Sequence, residues 1–96
     1  MKTYILSKST KKNKKYKIDM NDHSHDFGSK SGKTFLDHKN LKKKSDWIKR
    51  HKKDKNYKSQ HSGIYHSKNL LWNKSTIEKS IKDYEKKHKV RIINKL

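Results

Sequence analysis

Gly28-Ser-Lys-Ser-Gly-Lys-Thr34 carries the residue types of a phosphate-binding loop. In the spacing G-x-x-x-x-G-K-[ST], successive backbone N–H groups curl around a phosphate. Here one residue is missing between the glycines, and full spacing would put the first glycine at Phe27. No apolar strand ending in aspartate follows to hold magnesium. The segment therefore argues against nucleotide hydrolysis and for a basic Gly/Ser turn that touches a backbone phosphate.

Seven histidines are the other reactive resource: His23, His25, His38, His51, His61, His66 and His88. His23-x-His25 reads as two imidazoles on one face of a strand, which is metal-capable. No ligand pair recurs at zinc-finger spacing, and cysteine is absent. Hydrogen-bonded or stacked histidines in a small aromatic core are the expectation, with no metal and no cofactor. Asp37-His38 with Asn69 is faintly similar to the HNH nucleases, where His activates water and Asn orients it. The closing His or Asn of that pattern is replaced by Ile77 and Glu78. A metal-dependent nuclease built on His38 thus ranks last. The nine acids are scattered and mostly flanked by lysine, as in ordinary ion pairs, and no enzyme is expected.

Charge is the dominant signal. Within 96 residues, 28 Lys+Arg oppose nine Asp+Glu, a formal net charge of +19. Charged residues make up 39% and apolar residues 27%, a balance close to that of disordered chains. The length allows one small domain and no deep enzyme cleft. A polyanion is the implied partner. Candidate phosphate contacts are Lys8, Lys11, Lys12, Lys14 and Lys15 in a hairpin loop, Lys30 and Lys33 in the Gly/Ser turn, and Lys42, Lys43, Lys49, Arg50 and Lys53 on a basic helix. Only Arg50 and Arg91 are arginine. Lysine meets phosphate as a point charge, whereas arginine reads guanine bidentately, so base-specific recognition is disfavoured. Part of the lysine excess, with the absence of alanine and proline, fits A/T-rich coding. Stacking on unpaired bases would need exposed rings, for which Tyr57 and Tyr65 are the candidates.

These residues must be positioned by few elements. Residues 2–7 and 15–20 alternate as strands, and residues 25–28 read as a short third strand. Asn40 to about Lys53 reads as a helix with Leu41, Ser45 and Ile48 on its apolar edge, flanked by Trp47 and His51. Residues 54–63 are polar and irregular, and Leu70-Leu71-Trp72 anchors the core. Ser75-x-x-Glu78 matches a capping box that opens a helix from Thr76 to about Lys87. Residues 89–93 close as a strand. The fold class is α+β: a single small domain over residues 1–96, with an N-terminal β-hairpin and one or two short strands packed on two helices. The expected core is Tyr4, Leu6, Tyr16, Ile18, Phe27, Leu36, Leu41, Ile48, Leu70, Leu71, Trp72, Ile77, Ile81, Tyr84, Val90 and Ile92. After Met1-Lys2-Thr3 come only three apolar residues, Tyr4-Ile5-Leu6. A signal peptide needs roughly 7–15, so neither secretion nor a membrane span is expected.

The chain resembles the small, lysine-rich, uncharacterised proteins of large nucleocytoplasmic DNA viruses. The likeness runs from about Tyr4 to Ile93. It includes the hairpin Leu6-Ser-Lys-Ser-Thr-Lys-Lys-Asn-Lys-Lys-Tyr16, the Phe27-Gly28 step, His38-Lys-Asn40, Arg50-His51 and Gly63-Ile-Tyr-His-Ser-Lys-Asn-Leu-Leu-Trp-Asn73. Asn40 stands where aspartate is more usual. The resemblance implies a virion or viral-factory setting inside the host cell and no particular activity. The leading expectation is a non-enzymatic protein binding nucleic acid, DNA before RNA, with little sequence preference, in genome packaging. The runner-up is a minor capsid or cement protein bound to acidic virion proteins.

Overall fold

The computed structural model describes residues 2–96. Four strands form one mixed sheet: β1 (Lys2–Lys8), β2 (Lys14–Asp19), β3 (Ser24–Ser29) and β4 (Val90–Asn94), in the order β3-β2-β1-β4. β1, β2 and β3 are antiparallel neighbours, while β4 lies parallel to β1. The register places Leu6 opposite Ile18, Tyr16 opposite Phe27 and Tyr4 opposite Ile92, so one face gathers the core residues of all four strands, while paired Ile5 and Ile93 lie on the other face. The fold is the small α+β domain expected, with both extra strands present.

The helical layer is more broken than the sequence suggested. It comprises α1 (Phe35–His38), α2 (Leu41–His51), α3 (Gly63–His66) running into a π-helical turn (Ser67–Leu71), and α4 (Ile77–His88). α1, α3 and the π turn were not foreseen. Across the π turn the Trp72 N–H donates to Ser67 O at 3.1 Å. The wider turn packs Leu70, Leu71 and Trp72 into the core at 0%, 1% and 9% exposure.

Three local expectations need correction. The apolar stripe of α2 is rotated: Trp47 is buried, whereas Leu41 is 73% exposed. Lys44 takes a core-facing place, its Nζ 2.6 Å from Asn73 O and over the Phe35 ring. A long lysine stem can cover apolar surface while its head stays paired, so hydropathy misreads that position. Second, α4 is capped one residue later than the motif implied: the Thr76 hydroxyl accepts from Lys79 N at 3.2 Å. Third, Tyr65 is buried at 6% and Tyr57 is half-buried, so neither is an open stacking platform. Tyr16, Leu36, Ile48 and Ile77 lie at the core margin, and Met20 and Phe35 join the centre.

Gly28 is required twice over. Its φ is +79°, and a Cβ there would meet Leu71 Cδ1 at 2.9 Å. Gly28→Ala should cost about 1–3 kcal/mol in urea unfolding. Trp47→Ala should cost about 3–5 kcal/mol, while Leu41→Ala should stay within about 0.5 kcal/mol of the parent.

Candidate polyanion groove

The β1–β2 loop, the Gly28–Thr34 turn and α2 converge. Lys30 N donates to Asn13 O at 3.3 Å, tying turn to loop. Lys15 Nζ donates to Gly32 O at 3.1 Å and holds the turn from the side. Thr34 ends the turn at α1, where its N–H donates to Asp37 Oδ2 at 2.7 Å. The Thr of the near-miss nucleotide loop is thus spent on capping, and that N–H bond draws the Asp37 carboxyl below its usual pKa.

Four adjoining clefts make one groove from this convergence. The outer end is lined by Lys12, Asn13, Ser29 and Lys30. Next come Asn13, Lys14, Gly28, Trp47 and His51. The inner cleft has Gly28, Lys33, Trp47, Arg50 and Trp72. The far end adds His38 and Lys43. Beneath it the rings of Trp47 and Trp72 stack, with centroids 5.2 Å apart and planes at 12°. The His51 and His38 rings flank this pair, tilted against it, with centroids 4.3 Å from Trp47 and 5.3 Å from Trp72. Burial and the neighbouring Arg50 both push the His51 pKa down.

Of the twelve candidate cations, six line this groove: Lys12, Lys14, Lys30, Lys33, Lys43 and Arg50. Among the described residues none of these six side chains has an ion pair or hydrogen bond. Lys11 instead pairs with Asp26 at 3.5 Å, and Lys42 with Asp46 at 3.2 Å. Asp26 also accepts from the Ser9 hydroxyl, which with Lys11 keeps its pKa low. Lys15 is spent on Gly32 O. Lys8 lines a separate crevice with Tyr16 and Leu96, while Lys49 and Lys53 are exposed outside the groove. The aromatic floor was not foreseen, because Trp47 and Trp72 stand 25 residues apart and carry no joint pattern.

One histidine, His66, is core material, while His23 and His61 are exposed and the other four are half-buried. His66 is fully buried, with Phe27, Tyr65, Tyr84 and His25 around its ring. Its Nε2 donates to Gln60 O at 2.8 Å, leaving Nδ1 as acceptor toward the Tyr84 hydroxyl at 3.4 Å. Burial lowers its pKa to about 4. Tyr65 Oη and His88 Nε2 share a hydrogen bond of 2.6 Å. His23 lies outside β3, so only His25 of the proposed pair is on the strand. Among the described residues no group of three or more His, Asp or Glu is placed to hold a metal. Asn69, the would-be nuclease asparagine, is buried and donates to Tyr65 O at 2.9 Å. Among the described residues no helix is long and apolar enough to cross a membrane.

Residues 4–51 match a family of unknown function (DUF5754), and the chain belongs to that family. The matched half holds β1 to β3, α1 and α2, and with them every cation of the groove but no part of Gly63–Asn73. No curated protein matches the chain, and no solved structure does.

His66 ties stability to pH. A histidine whose folded pKa lies below 6.5 takes up a proton on unfolding, so acid favours the unfolded chain. Stability should be full above pH 6.5, fall as pH drops, and level off below about 4, with about 3 kcal/mol lost from His66. His25, His51 and His88 shift in the same direction and deepen the loss. Urea unfolding across this range checks it: His66→Phe should flatten the acid limb.

Proposed function

We propose that the protein binds nucleic acid, duplex DNA in the first instance, through lysine–phosphate contacts along the groove and with little base preference. The observation that carries this reading is the convergence of six unpaired cations from three segments on one concave surface. Unpaired lysines also cover other faces, and Lys8 lines a separate crevice with Tyr16, but that crevice gathers none of the six groove cations. Asp26 and Asp46, which border the groove, are neutralised by Lys11 and Lys42. Asp54 also lines the groove and has no ion pair among the described residues, but the six cations outnumber it. The resemblance to small basic proteins of large DNA viruses makes a packaged genome a fitting polyanion.

Each contact releases condensed counterion, so six contacts give a slope of log K against log[salt] of about −5 on duplex DNA. Neutralising Lys12, Lys30, Lys33 and Lys43 together to Gln should reduce that slope by about 3 to 4. The matched control, Lys79, Lys82, Lys86 and Lys89 to Gln on the α4 side, removes the same charge and should change it far less. Fluorescence anisotropy over a salt titration reads both. Equal losses from the two variants would mean that net charge alone drives binding, and the groove reading would fail.

A further inference from the structure

We propose that the inner cleft, between the Gly28–Thr34 turn and Arg50, is a site for a phosphate monoester. This rests on the polyanion reading of the same groove and names the group that enters its deepest part.

Depth is the first argument. The cleft has a volume of about 240 Å³, and its floor is Trp47, Leu71 and Trp72, which are 8%, 1% and 9% exposed. It therefore reaches core side chains. A phosphodiester inside a duplex carries a sugar on both sides and lies along a surface. A terminal phosphate has a single ester link and can project inward.

Charge is the second. A monoester carries about −1.5 to −2 at neutral pH, against −1 for a diester. Lys33 and Arg50 flank the cleft, and neither has an ion pair among the described residues. Two cations match a near-dianion.

The third is the kind of cation. Arg50 is one of only two arginines among 28 basic residues, and it stands at this cleft. The guanidinium is a planar fork that grips two phosphate oxygens at once, which lysine cannot do. The Lys33 N–H also has no protein acceptor among the described residues and is available to a third oxygen.

Both tryptophans of the chain line this cleft, so intrinsic fluorescence reports on it without a label. The experiment uses the full chain, with a 5′-phosphorylated single strand, its 5′-hydroxyl twin, adenosine monophosphate and inorganic phosphate, all at fixed ionic strength. The phosphorylated strand should bind about tenfold tighter than its twin, the gain of one charge-assisted hydrogen-bond pair. Arg50→Lys keeps the charge at an exposed position and should erase that difference, whatever affinity the two strands then share. A saturable tryptophan response to the monophosphate or to inorganic phosphate assigns the site to a small phosphate. A response confined to the phosphorylated strand assigns it to a chain end, and either supports the proposal. Equal affinity for the two strands, or a difference that survives Arg50→Lys, overturns it. If that happens while 5′-hydroxyl DNA keeps its steep salt slope, the monoester site falls alone and the groove stands. If the hydroxyl strand does not bind but phosphate moves the fluorescence through Arg50, the polyanion reading falls and the cleft stands.

Discussion

The burial of one neutral imidazole, His66, organises the helical layer on the sheet. Its ring touches Phe27 and His25 on β3 and Tyr84 on α4, and its Nε2–H holds the carbonyl of Gln60 at the end of the irregular segment. One side chain thus joins the sheet edge, the loop that follows α2, and the last helix. A protonated ring in that place would be an unpaired buried charge facing three further histidines. The rest of the core can be thin because this junction is aromatic. Large rings bury more surface per residue than aliphatic side chains, which offsets a composition of only 27% apolar residues.

Excess positive charge is sorted by position. Several lysines are used structurally: Lys44 on Asn73 O, Lys15 on Gly32 O, and Lys68 over the rings of Tyr57 and Tyr65. Burial and nearby Lys87 and Lys58 lower the pKa of Lys68, the mark of a cation drawn into the structure. The few acids neutralise individual lysines at the groove margin. Among the described residues the cations inside the groove have no partners, so their charge is free of any intramolecular contact.

The sheet was legible in the sequence because its signal is local. Tyr16 and Ile18 alternate with charged residues, and β2 follows that period directly. α2 was legible as an element but not in its phase. Leu41 outranks Lys44 by hydropathy, yet Lys44 finds a carbonyl and a ring, and Leu41 finds solvent. The π turn had no legible signal, since Ser67–Leu71 is widened by tertiary packing rather than by any residue type. For the candidate site, the lysine-bearing segments could be named in advance, but their meeting could not. It depends on the tie between Lys30 and Asn13, and on Trp47 reaching Trp72 across the domain. Which cations are already engaged is likewise a property of the fold: Lys11, Lys15 and Lys42 of the twelve candidates are taken by protein partners.

The parallel pairing of β1 with β4 bears on how the protein is made. Lys2 to Leu6 hydrogen-bond alongside Val90 to Asn94, so β1 finds one of its two neighbours only when about 85 further residues have been made. Until then β1 has an unpaired edge, and Tyr4 lacks its partner Ile92. Contacts that close so long a loop form late and slowly. The domain therefore completes its fold only after β4 has been made. During that interval the β1–β2 hairpin, with its lysine-rich loop, can already form on short-range contacts of its own.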